Sequence, residues 1–298
     1  MDASSSSGPP RLFDRPLRRR RLERAARIGA ADFLRERAGA DAVASLEAIL
    51  REFPLAVDLG SGGVFSRLLS ESAARGRVGP VVEAGVIPGG GVVVLDEERP
   101  PFADSSADLA VSLMSLHWTN DLPGALANIR RMLRPDGLFL GALFGGATLH
   151  ELRWALTQAE LELTGGASPR VSPFADAQDG ANLLQRAGFA LPVSDIDRLV
   201  VRYRHPLRLI ADLRAMGETG ALADRPRPLT RAVAARAFAL YTERFAGPDG
   251  RIPATFEIIS LAGWAPHESQ QKPLRPGSAK MRLADALHVR EVKLDPGR

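Results

Sequence analysis

The chain has no cysteine among its 298 residues. That absence removes disulfide scaffolds, thiolate zinc sites, cysteine-ligated iron–sulfur clusters and cysteine nucleophiles from consideration, and it favours a reducing compartment. No stretch approaches the run of about 18 uncharged apolar residues that a membrane-spanning helix needs. The opening MDASSSSGPP lacks the apolar core of a secretory signal. A strong excess of one charge is missing too: the net charge is +4, which selects no particular partner and gives no reason to expect nucleic acid. The one basic run, Arg18 to Arg21 within RLFDRPLRRRRLERAARIG, reads first as the solvated face of an amphipathic helix, with contact to nucleic acid or to the anionic lipid of a membrane surface, or a mitochondrial presequence, as the other uses of such a run.

What is present is a globular composition, 45% hydrophobic, enough for a large core. Residues 1–10, rich in Ser, Gly and Pro, read as a disordered leader. Apolar residues recur at helical spacing from 11 to 53, predicting two helices. PLAVDLG is then a short strand, and VFSRLLSESAARG a helix behind a glycine loop. GPVVEAG, GVVVLDEE, ADLAVSLMSL and GLFLGALFGG read as further strands, with the helix LPGALANIRRMLRPDG stopped by Pro135 and Gly137. Strands alternating with helices predict an α/β fold with a mostly parallel, doubly wound sheet. A long helix follows Gly146, then a helix in DAQDGANLLQRAGF, an extended stretch LPVSDIDRLVVRYR, helices across 206–246 and a last strand ATFEIISLAGW. The expected division is an α/β domain over 54–204 and 250–265, a helical insertion over 205–249 and a C-terminal tail over 266–298.

The chemistry concentrates at the strand ends. In AVDLGSGG (56–63) an acid and glycines follow β-forming residues, and glycines let a ligand approach the backbone. A dinucleotide fingerprint needs a third glycine three positions after Gly62, and the residues there, Phe65 and then Ser66, are not glycine. Asp58 would repel a pyrophosphate but would attract an ammonium group. These features favour S-adenosylmethionine as cofactor. Glu83, 21 residues after Gly62, suits a pair of ribose hydroxyls, and Asp96 suits the adenine amino group. Each acid taken singly has an ordinary use as a helix cap or a loop residue.

These strings, with SLHWTNDLPGALANIRRMLRPDG and LLQRAGF, resemble class I S-adenosylmethionine-dependent methyltransferases. FDRPLRRRRLERAA, GALFGGATLHELR, GGASPRVSPFADAQD, DLRAMGETGAL, DGRIPATFEI and GWAPHESQQKPLRPGSA resemble the NADH:ubiquinone oxidoreductase (complex I) assembly factor 5 family and its alphaproteobacterial relatives. The resemblance runs from about Phe13 to the C-terminal region. It implies a Rossmann-like methyltransferase fold that binds S-adenosylmethionine and acts on a protein substrate, a complex I subunit. In mitochondrial members it also implies hydroxylation of an arginine on an iron–sulfur subunit. Location follows the host: cytoplasmic in a bacterium, the matrix side in a mitochondrion.

By position, the resemblance implies that Asp58, Gly60 and Gly62 form the cofactor loop, that Glu83 holds ribose, that Asp96 with Glu97 forms the adenine pocket, and that His117 and Trp118 face the cofactor and substrate cleft. Where that family commonly reads D-L-G-C-G-x-G, Val64 occupies the last glycine position, so its side chain is expected to crowd the methionine moiety. Methyl transfer needs alignment and exclusion of water more than catalytic side chains. If a base is used, His117 is the candidate, against an ordinary neutral ring hydrogen-bonded near the sheet edge. Trp118 either walls the cleft or is plain packing. No histidine shows the short H-x-D or H-x-E spacing of many iron sites, so no metal ligand set is read from the sequence. Two other functions fit this pattern: a carboxyl methyltransferase resembling the malonyl-carrier-protein enzyme of biotin synthesis, and an assembly chaperone without turnover. HESQQKPLRPGSA reads as a surface turn or a partner-docking loop.

Overall fold

A computed structural model of the chain describes residues 11–88, 92–176, 179–224 and 226–271. The expected leader and nearly all of the expected tail lie outside the described residues. Residues up to Pro266 form one compact unit; of a second unit beginning at His267 only the turn to Gln271 is described, closed by His267 N donating to Gln270 Oε1 at 3.2 Å.

Two helices precede the sheet, α1 (Arg15–Ile28) and α2 (Phe33–Ala48). Asp14 starts α1 by accepting a hydrogen bond from Leu17 N, with a proline in the first turn, as an N-cap does. Strands β1 (Ala56–Leu59), β2 (Val81–Gly85), β3 (Val93–Val94), β4 (Ala107–Leu113) and β5 (Leu133–Phe144) then alternate with α3 (Val64–Ser70) and α4 (Leu122–Met132). After α5 (His150–Thr164) and α6 (Gly180–Arg186) come β6 (Ala190–Tyr203), α7 (Pro206–Ala215), α8 (Arg231–Phe245) and β7 (Ile252–Trp264).

The sheet runs β3-β2-β1-β4-β5-β7-β6. Its first five strands are parallel, and β7 is antiparallel to both β5 and β6. Side chains alternate across the sheet: Val57 and Leu59 pack on the α4 and α6 side, and Ala56 on the α2, α5 and α8 side. Asp58 therefore projects on the same side as Ala56, toward α2. The switch in winding falls between β1 and β4, where open α/β sheets place their ligand crevice.

Two expected boundaries shift. Helix α4 ends at Met132 rather than near Pro135, because a residue ahead of proline is pushed toward extended geometry, and β5 begins at Leu133. Strand β3 is only Val93–Val94, so Asp96 lies in an isolated bridge with Arg99 beyond it rather than at the tip of a long strand.

Candidate functional site

Asp58 and Glu83 are register partners on adjacent parallel strands. Both carboxylates therefore emerge at the same sheet edge, beside the loop that follows β1. Asp58 is buried and organises that loop: its Oδ1 accepts from Ser61 N at 3.0 Å and its Oδ2 from the Ser61 hydroxyl. Ser61 Oγ in turn accepts from Phe65 N at 3.1 Å, tying the loop to α3. Gly60, Gly62 and Gly63 have φ of +98°, +66° and +85°, the left-handed region that side chains resist. The Glu83 carboxylate oxygens lie 3.7 and 3.8 Å from where a Cβ on Gly63 would sit, so that acid reaches back to the loop.

Asp58, Gly60, Gly62 and Glu83 line one cavity, of about 240 Å³. Arg18 of α1 and Arg35 of α2 line it as well, and Met114 and Ser115, after β4, complete it. Met114 has φ of +56°, a strained backbone for a non-glycine residue, at a wall of the site. The expected crowding by Val64 does not occur. Val64 is buried, is not among the cavity-lining residues, and faces α2, its Cγ1 lying 3.6 Å from where a Cβ on Gly39 would sit.

Asp96 and Glu97 do not line this cavity among the described residues. The Asp96 side chain is 55% exposed and pairs with Arg15. Glu97 is buried, pairs with Arg15 and accepts from Ser115 Oγ at 2.9 Å. It therefore stands behind Ser115, one contact removed from the cavity.

A second cavity, of about 180 Å³, is lined by aromatic and aliphatic side chains, with Trp118, Phe144 and Phe174 among them and Glu218 and Arg170 as its charged groups. A narrow gap lined by Arg35, Met114, Phe144, Met216 and Glu218 lies between the two and shares residues with both. Glu218 follows α7. Its Oε2 meets His117 Nε2 at 3.0 Å and Trp118 Nε1 at 2.9 Å, and its Oε1 accepts from Arg18 Nη2 at 3.0 Å.

His117 sits behind this group, not in either cavity. Its ring packs on Phe144 at 4.7 Å. Its Nε2 is taken up by the Glu218 carboxylate, and its Nδ1 is buried without a hydrogen-bond partner among the described residues. The arrangement suits an orienting ring better than an exposed base. Glu218 is the group that reading the sequence missed. It stands 101 residues from His117, and its only sequence sign was its place in the string DLRAMGETGAL. Arg18 is likewise not solvated: it is 3% exposed.

Burial pushes the Asp58 carboxyl up to about 6; Ser61's hydrogen bonds oppose the rise and Glu83's charge adds to it. Glu218 behaves in the opposite way. Burial alone would raise it, but the charges of Arg18 and His117 and the hydrogen bonds from His117 and Trp118 bring it to about 2. Ionising Asp58 is harder in the folded chain than in the unfolded one, so stability falls as pH rises through the interval from about 4 to about 6. Asp58→Asn is expected to flatten the loss of stability between pH 4.5 and 7, a window above the Glu218 titration, as urea unfolding at those pH values would register.

Among the described residues no three His, Cys, Asp or Glu side chains are grouped as metal ligands. No helix among them is long and apolar enough to cross a membrane.

Residues 57–141 match a methyltransferase domain family. The chain is 39% identical over 301 residues to the mitochondrial arginine-hydroxylase NDUFAF5 of Danio rerio, covering 95% of this chain and 92% of that one. It is 35% identical over 190 residues to a malonyl-[acyl-carrier protein] O-methyltransferase of Halorhodospira halophila, covering 63% and 62%. The solved structure of YcgJ from Bacillus subtilis superposes with a TM-score of 0.51 at 14% identity over 78% of this chain and 99% of that one, a likeness of fold alone. The α/β architecture is that of the class I methyltransferases.

Proposed function

The chain belongs to the family of the arginine-hydroxylase NDUFAF5, and from that premise we propose that it is an S-adenosylmethionine-binding enzyme that modifies a protein substrate during assembly of respiratory complex I. The observation that carries the proposal is the convergence of Asp58, Gly60, Gly62 and Glu83 on one cavity, adjoined by a second, aromatic cavity across a narrow gap.

The donor set suits the cofactor. Glycines with left-handed φ leave room against the loop: a Cβ on Gly62 would meet nothing within 4 Å. Asp58 offers a carboxylate to an ammonium group and Glu83 offers one to ribose hydroxyls, two charge-assisted interactions. Bound there, the cofactor supplies an electrophilic methyl group on a sulfonium. The residues of the chain do the rest. Phe144 and Met114 keep water from the gap, Glu218 stays ionised and holds Trp118 and His117 in place, and the aromatic cavity receives an acceptor side chain of the partner protein. A relative named for arginine hydroxylation supports an arginine as that acceptor. The aromatic rings of that cavity, with the Glu218 carboxylate in its wall, offer a guanidinium stacking faces and an acceptor.

Asp96 and Glu97 are proposed to support the adenine side indirectly, through Arg15 and Ser115. His117 is proposed as a positioning residue and Trp118 as a wall of the acceptor cavity. The work would be done on the cytoplasmic side in a bacterium and on the matrix side in a mitochondrion. The second reading, a carrier-linked carboxyl methyltransferase, is supported by the Halorhodospira relative, but over a smaller part of the chain.

Intact-mass and peptide analysis of complex I subunits from cells with and without the gene tests the proposal. One methyl group gained on a subunit only when the gene is present is the expected result, or one oxygen, which would have to be drawn from dioxygen with two electrons from an external reductant. Unchanged subunits alongside saturable cofactor binding would move the substrate to a carrier protein. Unchanged subunits and no calorimetric signal with S-adenosylmethionine would leave a chaperone.

A further inference from the structure

Two arginines stand out in a cavity whose other charged groups are acids. Arg18 is almost fully buried. Its terminal nitrogens are held by the Gly217 carbonyl and Glu218, and its guanidinium lies over the Trp118 ring, 4.4 Å from the centroid. Its Nε has no hydrogen-bond partner. Arg35 is held by Asp32 through one terminal nitrogen, and its Nε is also buried and unpartnered.

A buried donor left without an acceptor costs about 1–3 kcal/mol, more when the group is charged. The cost here falls on two residues lining the same space. Neither arginine forms an ion pair with Asp58 or Glu83, although both acids line that cavity; their partners are Glu218 and Asp32. Arg35 is nonetheless near enough to Asp58 to pull its carboxyl pKa downward. Desolvation lowers the pKa of Arg18, with Glu218 opposing. Such a cation gains from a second anion. The cavity thus presents a carboxylate and two incompletely bonded guanidinium groups close together, the complement of an α-amino acid zwitterion.

Resting on the cofactor reading above, we infer that Arg18 and Arg35 hold the carboxylate of the cofactor's amino-acid end, opposite the ammonium group held by Asp58. The loop after β1 therefore makes only half of the methionine site. The other half comes from the helices that precede the sheet, so a fragment beginning at β1 keeps the nucleoside contacts and loses the carboxylate.

Calorimetry on the full chain with two ligands separates the contributions: S-adenosylmethionine, and decarboxylated S-adenosylmethionine, which keeps sulfonium, ammonium and nucleoside. The wild type is expected to bind the first at least about tenfold more tightly, about 1.4 kcal/mol. Arg35→Met is expected to weaken S-adenosylmethionine about tenfold and the decarboxylated ligand less than about twofold, and Arg18→Met to do the same. Arg18→Met strips Glu218 of its cation and risks misfolding. Arg35→Met, whose partner Asp32 has a side chain 30% exposed, and the wild-type comparison stand without it. Equal affinity for the two ligands in the wild type, or equal losses for both in Arg35→Met, overturns the inference and leaves the cofactor reading intact. Failure of the wild type to bind either ligand overturns both.

Discussion

Glu83→Ala is expected to weaken S-adenosylmethionine binding by about 100-fold or more while leaving the unfolding midpoint unchanged or slightly raised. The half-buried carboxylate stands at the middle of β2, lines the cavity, and among the described residues receives no hydrogen bond. Nothing in the fold therefore depends on it. Its charge is instead a burden on the neighbouring strand, since Glu83 raises the pKa of Asp58. A charged acceptor contributes about 1.5–3 kcal/mol to each hydrogen bond, and two ribose hydroxyls donating to one carboxylate give the stated factor. Glu83→Gln keeps the shape and one acceptor oxygen, so its loss should fall between wild type and alanine. Calorimetry for binding and thermal unfolding for stability check the two halves. Affinity within a few-fold of wild type in Glu83→Ala would falsify the assignment of this acid to ribose.

That Asp58 and Glu83 meet at one cavity was legible because the pattern is local. A run of β-forming residues, an acid, and glycines that tolerate positive φ are all contiguous in AVDLGSGG, and parallel register then sets Asp58 beside Glu83 without further information. Asp96 read as equivalent and was not. Its strand is reduced to Val93–Val94, paired on one side only, with β2, so the strand-end geometry that the pattern promised is not delivered. Arg18 failed in the opposite sense. Within a run of four arginines it looks solvated, and only its spacing to Leu22 and Ala25 marks the inward face of α1. What makes burying a guanidinium there tolerable is Glu218, which sits 200 residues away along the chain. Long-range charge pairing leaves no periodic trace, so neither partner could be inferred from the other.

That pairing gives the second large expectation. Glu218→Ala should destabilise the fold by about 3–5 kcal/mol, the usual cost of removing one partner of a buried ion pair. The side chain of Arg18 is 4% exposed and that of Glu218 7%, so the abandoned guanidinium is poorly placed to exchange its partner for bulk water. Trp118 Nε1 and His117 Nε2 lose their acceptor at the same time. If the destabilisation comes from the stranded charge, Arg18→Met combined with Glu218→Ala should be less harmful than the sum of the two single changes, and a double-mutant cycle by urea unfolding reads this directly. The pH dependence supplies a second measure. Because the folded Glu218 carboxyl lies near 2, below its ordinary value of 4.5, its contribution is complete above about 4.5 and is lost as pH falls toward 2. Glu218→Gln should flatten that acid limb and leave the separate decline between pH 4.5 and 7, which belongs to Asp58, in place. Strict additivity in the cycle together with an unaltered acid limb would mean that the group joining the two cavities is a bystander, and the acceptor side of the site would have to be sought elsewhere.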